Sequence, residues 1–346
     1  MPKAKKLPSG TWRVRVFTHT DAEGKSHYKS FTAATKKEAE YMASQFYVEK
    51  TNNNELLDIT LKQAYEKRIK SVESVLSPST IKAYKRYAVN YLQDIMPLKL
   101  SNLTPEIIQT AVSKEALNVS AKTVNNMCGL LSVVLKAYMP SFKLDVIRPQ
   151  KEKKNIYIPN ENEVKQILAY LEGTPGYMPV LLASCLGLRR SEICALKWSD
   201  IDFEKGTVYI HSATVLDSEN KAVTKKPKSY SGYRTLTMPQ YMIEKMKTEK
   251  STSTSENVTT LTGAAIYHRF ARSLEALNIP HFRFHDLRHY NASVMLAMGI
   301  PNKYAQARMG HATDNMLKNV YQHIMEEKQS STDMQMKEYF EKFLAT

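Results

Sequence analysis

Three short segments in the second half of the chain hold the side chains with chemistry to offer. The first, Gly187-Leu188-Arg189-Arg190-Ser191-Glu192, sets a glycine that breaks one helix just ahead of two arginines that open the next. An arginine there can grip an anion: its planar fork matches two phosphate oxygens, it keeps its charge, and a helix N-terminus adds donors. The second, Arg283-Phe284-His285-Asp286-Leu287-Arg288-His289, spaces His285 and Arg288 three apart on one helix face, within reach of a single phosphate. The third, Met309-Gly310-His311, precedes a helical pattern in which Leu317, Val320, Tyr321 and Ile324 share an apolar stripe. Taken singly, each has a plainer reading. An Arg-Arg pair before a glutamate is ordinarily a surface ion pair, and a tyrosine on an apolar stripe ordinarily packs in a core with its hydroxyl satisfied at the edge.

These segments need a domain to carry them, and 346 residues suggest two or three compact units. The unit that holds them starts beyond Arg148–Lys154, a charged, proline-marked linker. Asn160 and Glu163 cap a helix with the stripe Val164, Ile167, Leu168 and Leu171, and a buried helix follows through Leu181, Leu182 and Cys185. A short sheet comes next: Glu204–Gly206 turns into a strand at Val208–Ile210, and Arg234–Met238 reads as a later strand after a lysine-rich hairpin. The remainder is mainly helical.

Upstream lies a helical unit. Leu61, Tyr65, Ile69 and Val72 share a face behind a Thr60 cap, and further helices start at Ser77-Pro78, Thr104-Pro105 and Ser120, the last with Val124, Leu131 and Leu135 inward. Lys82, Lys85 and Arg86 ride on the second of these helices, where they can clamp phosphates or face solvent. The polar stretch Thr51–Glu55 is the expected linker before it. At the N-terminus Trp12, Val14 and Val16 alternate with Arg13 and Arg15, giving a strand with one apolar and one basic face. A turn at Asp21–Gly24, a second strand over His27–Phe31 and a helix with a Thr35/Glu38 capping box and the stripe Ala39, Met42, Ala43, Phe46 complete this module. Its basic face fits a DNA groove or plain solvation equally well. The expected fold is α+β and mainly helical: a small sheet-plus-helix module over 1–55, a helical domain over 56–150, and a mixed, mainly α domain with a small antiparallel sheet over 151–346.

Charge narrows the partners. With 49 Lys and Arg against 34 Asp and Glu, a net charge of +15, the long-range field favours a polyanion, and nucleic acid leads. There is no apolar run of membrane-spanning length and no signal peptide, so a cytoplasmic protein without a membrane partner is expected. Cys128, Cys185 and Cys194 form no CxxC pattern, which points to buried thiols and away from disulfides or zinc. No carboxylate arrangement suggests a metal-dependent transposase, and no cofactor is expected.

The joint order Gly-Leu-Arg-x-x-Glu, a lysine in a hairpin, His-x-x-Arg-His, Gly-His and then Tyr resembles the tyrosine recombinase, or phage integrase, family. The resemblance places the family's catalytic set on Arg189, Lys228, His285, Arg288, His311 and the nucleophile Tyr321, with Lys225 and Lys226 near enough to leave the lysine register open. It implies an arm-type DNA-binding module over 1–55, a core-binding domain over 56–150 and a catalytic domain over 151–346. It also implies double-stranded attachment-site DNA, a homotetramer on synapsed DNA, a Holliday junction, an excisionase or host DNA-bending factor as accessory, and residence at the nucleoid. Residues 327–346, rich in Met334, Met336, Tyr339, Phe340 and Phe343, would be a tail that packs on a neighbouring subunit, docking within the same chain being the ordinary alternative. The implied chemistry is attack of Tyr321 on a backbone phosphate, giving a 3′-phosphotyrosyl enzyme, during integration or excision of a phage or transposon. Arg189, Arg288 and His311 would stabilise the phosphorane, Lys228 would protonate the 5′ oxygen and His285 would orient the phosphate or assist proton transfer. A type IB topoisomerase has an overlapping catalytic set, and a recombinase-derived DNA-binding regulator would not need the tyrosine.

Overall fold

Alternating valines and arginines near the N-terminus become the central strand of a three-stranded antiparallel sheet in the computed structural model. It describes residues 3–20, 24–150, 157–227, 230–310, 334 and 336–344, with 19–20 and 47–57 as backbone alone. The chain divides into two compact units, Met1–Glu152 and Lys153–Thr346.

In the first unit, β1 (Lys5–Lys6), β2 (Trp12–Thr20) and β3 (Ser26–Ala33) pair in that order, with Val14 opposite Phe31. Val14 and Val16 bury against Ala39 and Ala43 of α1 (Lys36–Leu57), while Arg15 stands exposed with its guanidinium 4.6 Å from the centre of the Tyr28 ring. Two expectations need correction here. Met42 is 41% exposed, so the stripe facing the sheet is buried Ala39 and Ala43 with half-buried Phe46. The supposed linker Thr51–Glu55 is helical, because α1 runs through it to Leu57. Threonine and asparagine cost only up to about 0.7 kcal/mol each in a helix relative to alanine, and this stretch holds no glycine or proline to stop one.

A separate core forms among α2 (Leu61–Val72), α3 (Pro78–Asn90), α4 (Pro105–Ala116) and α5 (Ala121–Tyr138). Thr60 and Gln63 form the capping box that starts α2, and Thr104 and Ser120 cap α4 and α5. Leu61, Tyr65, Val124, Leu131 and Leu135 are buried as their spacing requires. On α3, Lys82 is half-buried, Lys85 pairs with Glu73 at 2.7 Å and the Arg86 guanidinium lies 5.5 Å from the centre of the Tyr87 ring.

The second unit opens with α6 (Glu161–Leu171), started by a capping box between Asn160 and Glu163. Then comes α7 (Tyr177–Leu186), a helix apolar on every side and therefore central: Val180, Leu181, Leu182 and Leu186 are all buried. It ends at Gly187, whose φ of +64° suits glycine, and the chain turns into the short α8 (Arg190–Ile193). Strands β4 (Ile201–Asp202), β5 (Thr207–Ile210) and β8 (Arg234–Thr237) form one antiparallel sheet. Between β5 and β8, a hairpin of β6 (Ala213–Leu216) and β7 (Ala222–Lys225) reaches out and returns with the lysines.

Helices α9 (Gln240–Thr252), α10 (Gly263–Ala276), α11 (Asp286–Ala297) and α12 (Asn302–Met309) complete the unit. α11 packs on α7, where Asn291 Nδ2 donates to the carbonyls of Ser184 and Cys185 at 2.9 Å each. Residues 336–344 are helical, and Tyr339, Phe340 and Phe343 are exposed there with their rings against one another. Residues 327–333 of the expected tail lie outside the described residues. Cys128 is buried as expected, whereas Cys185 and Cys194 are half-buried, and all three are free thiols. Truncating fully buried Leu131 to alanine should cost about 2–5 kcal/mol, read as a lowered midpoint in urea unfolding.

Candidate active site

The αL turn at Gly187 aims the next residues at the C-terminal end of α12. A Cβ on Gly187 would stand 2.7 Å from Met309 Sδ and 2.9 Å from Asn291 Oδ1, so glycine is required by crowding as well as by φ. Arg189 follows as the residue before α8, with its side chain 32% exposed. Its Nη1 donates to Glu192 Oε1 at 2.6 Å, its Nη2 to the Gly310 carbonyl at 2.8 Å, and its backbone N–H to Glu192 Oε2 at 2.9 Å.

Arg288, in the first turn of α11, comes to the same place from behind. It is 0% exposed, and its Nη1 and Nη2 donate to the carbonyls of Gly187 and Met309. The two guanidiniums therefore hold successive carbonyls, Met309 and Gly310, at the end of α12. Burial first, and then the neighbouring Arg189 charge, weaken the hold of Arg288 on its proton. His285, at the start of α11, has an exposed edge and lies edge-on to His289, with ring centroids 5.2 Å apart. Burial of the rest of the ring, then the charges of His289, Arg288 and Arg189, hold its imidazole down to about 4 against the pull of Asp286. Solvent at the open edge tempers the burial contribution, but the cationic neighbours act in the same direction.

Glu192 and Arg234 join the site although spacing alone assigned them no task. Glu192 is 6% exposed, and Arg234 reaches it from β8 with Nη2 to Oε2 at 2.8 Å and Nη1 to Oε1 at 3.2 Å. Burial alone would raise the Glu192 carboxyl. The hydrogen bond and charge of Arg234, with the charge of Arg189, outweigh burial and hold it at about 2. The available signal was Glu192 in the Arg-x-x-Glu spacing, which suits a carboxylate folding back onto the start of a helix.

Arg189, Ser212, Lys225, Lys226, Pro227 and Gly310 line a cleft of about 290 Å³. Both lysines that left the register open thus border the same cleft as Arg189. Arg190 points elsewhere and lines a larger neighbouring cavity with Cys194, Lys197 and Thr262. Lys228, His311 and Tyr321 lie outside the described residues. Among the described residues, no group of three or more His, Cys, Asp or Glu side chains could hold a metal ion, and no helix is long and apolar enough to cross a membrane.

Residues 159–328, which span this whole cluster, match the phage integrase family. That segment is a phage integrase family domain. Among similar proteins, the "Tyrosine recombinase XerC-like" protein of Caldanaerobacter subterraneus subsp. tengcongensis is 25% identical over 361 aligned positions, covering 91% of this chain and 92% of its relative. "Prophage integrase IntR" of Escherichia coli is 24% identical, over 79% of this chain and 73% of that one. The fold is shared with the Tn1549 transposon integrase solved with transposon right end DNA, at a TM-score of 0.64 and 19% identity, over 78% of this chain and 99% of that one. It is shared too with a lambda integrase tetramer solved on a Holliday junction, at a TM-score of 0.59 and 18% identity, over 92% and 94%.

Two outcomes test the site as described. Gly187→Ala should destabilise the protein by at least the roughly 1–2 kcal/mol that an αL residue other than glycine costs, seen as a lower thermal midpoint. The Glu192 carboxyl is depressed in the fold, so its stabilising effect is complete above the usual carboxyl range and fades as pH falls towards about 2. The stability gap between wild type and Glu192→Gln in urea should therefore be widest at neutral pH and narrow across that acid window. A gap that does not change with pH would contradict the clamp.

Proposed function

We propose that this protein is a site-specific recombinase that breaks and rejoins DNA through Tyr321, integrating or excising a mobile element. The observation that carries this reading is the meeting of Arg189 and Arg288, from segments far apart in the chain, around the Gly187 and Gly310 turns, with His285 near enough to feel both charges. A structural ion pair alone needs one cation per carboxylate. Here a partly open guanidinium borders a cleft with two lysines, an arrangement suited to an incoming phosphate.

In the proposed step the Tyr321 oxygen attacks the phosphorus, the bond to the 5′ oxygen breaks, and a 3′-phosphotyrosyl ester and a free 5′ hydroxyl result. A phenol with a pKa of about 10 needs a proton acceptor and a stabilised phosphorane. His285, held neutral near pH 7 but weakened as a base by its cationic neighbours, orients the phosphate or assists that proton transfer. Arg189 neutralises the nonbridging oxygens from the cleft, with His311 adding a hydrogen bond. Arg288 supplies charge from the layer beneath, and direct contact requires the Gly187 and Met309 carbonyls to release it. Lys228, or Lys225 or Lys226 beside it, protonates the leaving 5′ oxygen. The ester keeps the energy of the broken linkage, so a 5′ hydroxyl of a partner strand can reverse the attack without ATP.

Around this step we assign residues 1–55 as an arm-type DNA-binding module, 56–150 as a core-binding domain and 151–346 as the catalytic domain. Arg13, Arg15, Lys82, Lys85 and Arg86 contact DNA phosphates in this reading. The partner is double-stranded attachment-site DNA in the cytoplasm, at the nucleoid, bound by a homotetramer that passes through a Holliday junction, with an excisionase or host bending factor as accessory. The test is a nicked suicide DNA substrate in EDTA. Wild type should accumulate a covalent adduct that denaturing gels detect and Tyr321→Phe abolishes. An adduct mapped to another residue, or a reaction lost in EDTA, would falsify the assignment.

A further inference from the structure

We propose that Arg234 is a positioning residue for strand cleavage: it clamps Glu192 so that Glu192 in turn holds the Arg189 guanidinium at the scissile phosphate. The proposal rests on the reading of Arg189 given above. The geometry points to it in three ways.

First, the Glu192 carboxylate is shared between two arginines. Oε1 accepts from Arg189 Nη1 at 2.6 Å and from Arg234 Nη1 at 3.2 Å, while Oε2 accepts from Arg234 Nη2 at 2.8 Å and from the Arg189 backbone N–H at 2.9 Å. With both oxygens engaged, the carboxylate cannot rotate without breaking an arginine contact. Removing Arg234 leaves Glu192 tied only to the partly exposed Arg189.

Second, Arg234 is itself fixed. It opens β8, paired with Ile210 of β5, and is buried. Its Nε donates to the Arg308 carbonyl near the end of α12 at 2.9 Å, and its Nη1 donates to the Gly232 carbonyl at 3.3 Å. One side chain thereby links the return of the lysine hairpin, the carboxylate that orients Arg189, and the turn whose carbonyls hold both arginines.

Third, the neighbouring backbone is shaped to admit it. A Cβ on Gly310 would fall 2.9 Å from Arg234 Nη1 and 2.9 Å from the Ser231 carbonyl. Gly310 also adopts φ +63°, so its lack of a side chain serves both the turn and the space that the guanidinium fills. A lysine in place of Arg234 would keep the charge but lose the fork that spans both carboxylate oxygens.

The test measures single-turnover cleavage of the suicide substrate, DNA affinity and thermal midpoint for Arg234→Met and Arg234→Lys, each in the wild-type and the Glu192→Gln backgrounds. Arg234→Met should slow cleavage by about 10²-fold, the scale on which small misplacements act, and Arg234→Lys by less. DNA affinity should stay within about twofold, because a buried arginine makes no phosphate contact of its own. The acid limb of the rate profile should move to higher pH in Arg234→Met, as Glu192 loses the partner that keeps it ionised. In the Glu192→Gln background neither substitution should slow cleavage further.

Equal losses in both backgrounds, an unmoved acid limb, or a loss of affinity that accounts for the slower rate would each overturn the proposal. If Arg234→Met does not fold, Arg234→Lys runs the same cycle with the same criteria. Tyr321→Phe and Arg189→Ala in the same assay separate the two levels. If adduct formation ignores those controls, the reading of the site has failed; if it obeys them while the cycle is additive, only the role of Arg234 has.

Discussion

A carboxylate buried between two guanidiniums is the interaction on which the catalytic unit turns. An unpaired Glu192 at that depth would be costly, and so would an unpaired Arg234, because burial removes water from either charge. Together they tolerate burial, and the low-dielectric surroundings make their geometry stiff. The arrangement gives no strong stability argument by itself, since an apolar replacement of similar volume can be as stable. What it supplies is direction. Arg189 leaves the trio with one side against Glu192, one against the Gly310 carbonyl, and an edge open to the cleft.

The backbone carbonyls are the other half of this constraint. Gly187, Met309 and Gly310 present oxygens to Arg288 and Arg189 because αL glycines end α7 and α12 there. A helix that finishes on glycine exposes its last carbonyls, and two helices finishing at one point concentrate negative partial charge where two cations must coexist. That concentration offsets the repulsion between Arg189 and Arg288. The apolar body of α7 fixes where this happens, since its buried residues leave it little freedom to slide or rotate.

Much of the local structure was legible in residue order. The caps at Thr60 and Asn160, the helix starts at Thr104 and Ser120, the Gly187 break and the β-strand alternation around Val14 are all signals read within a few residues, and each element stands where its signal lies. Weak local signals were misread. The asparagine run at 52–54 looked like a linker, yet nothing in it forbids a helix, and α1 continues. Met42 kept the spacing of a core residue but stands largely exposed. The task of Arg234 was beyond local reading altogether. Nothing in Arg234-Thr-Leu-Thr announces that its side chain will bury against a carboxylate 42 residues upstream, a pairing that only the sheet register and the Gly187 turn bring about.

The carbonyls at Met309 and Gly310 also set a schedule for synthesis. As the chain emerges from the ribosome, the first unit and the lysine hairpin can fold while α12 is still inside the exit tunnel. Until that helix arrives, Arg189 and Arg288 lack acceptors that hold them in the finished protein. A nascent chain can thus complete its first unit well before the two guanidiniums are held in place. The arginine cluster is therefore organised only after the elements that it joins have all been made.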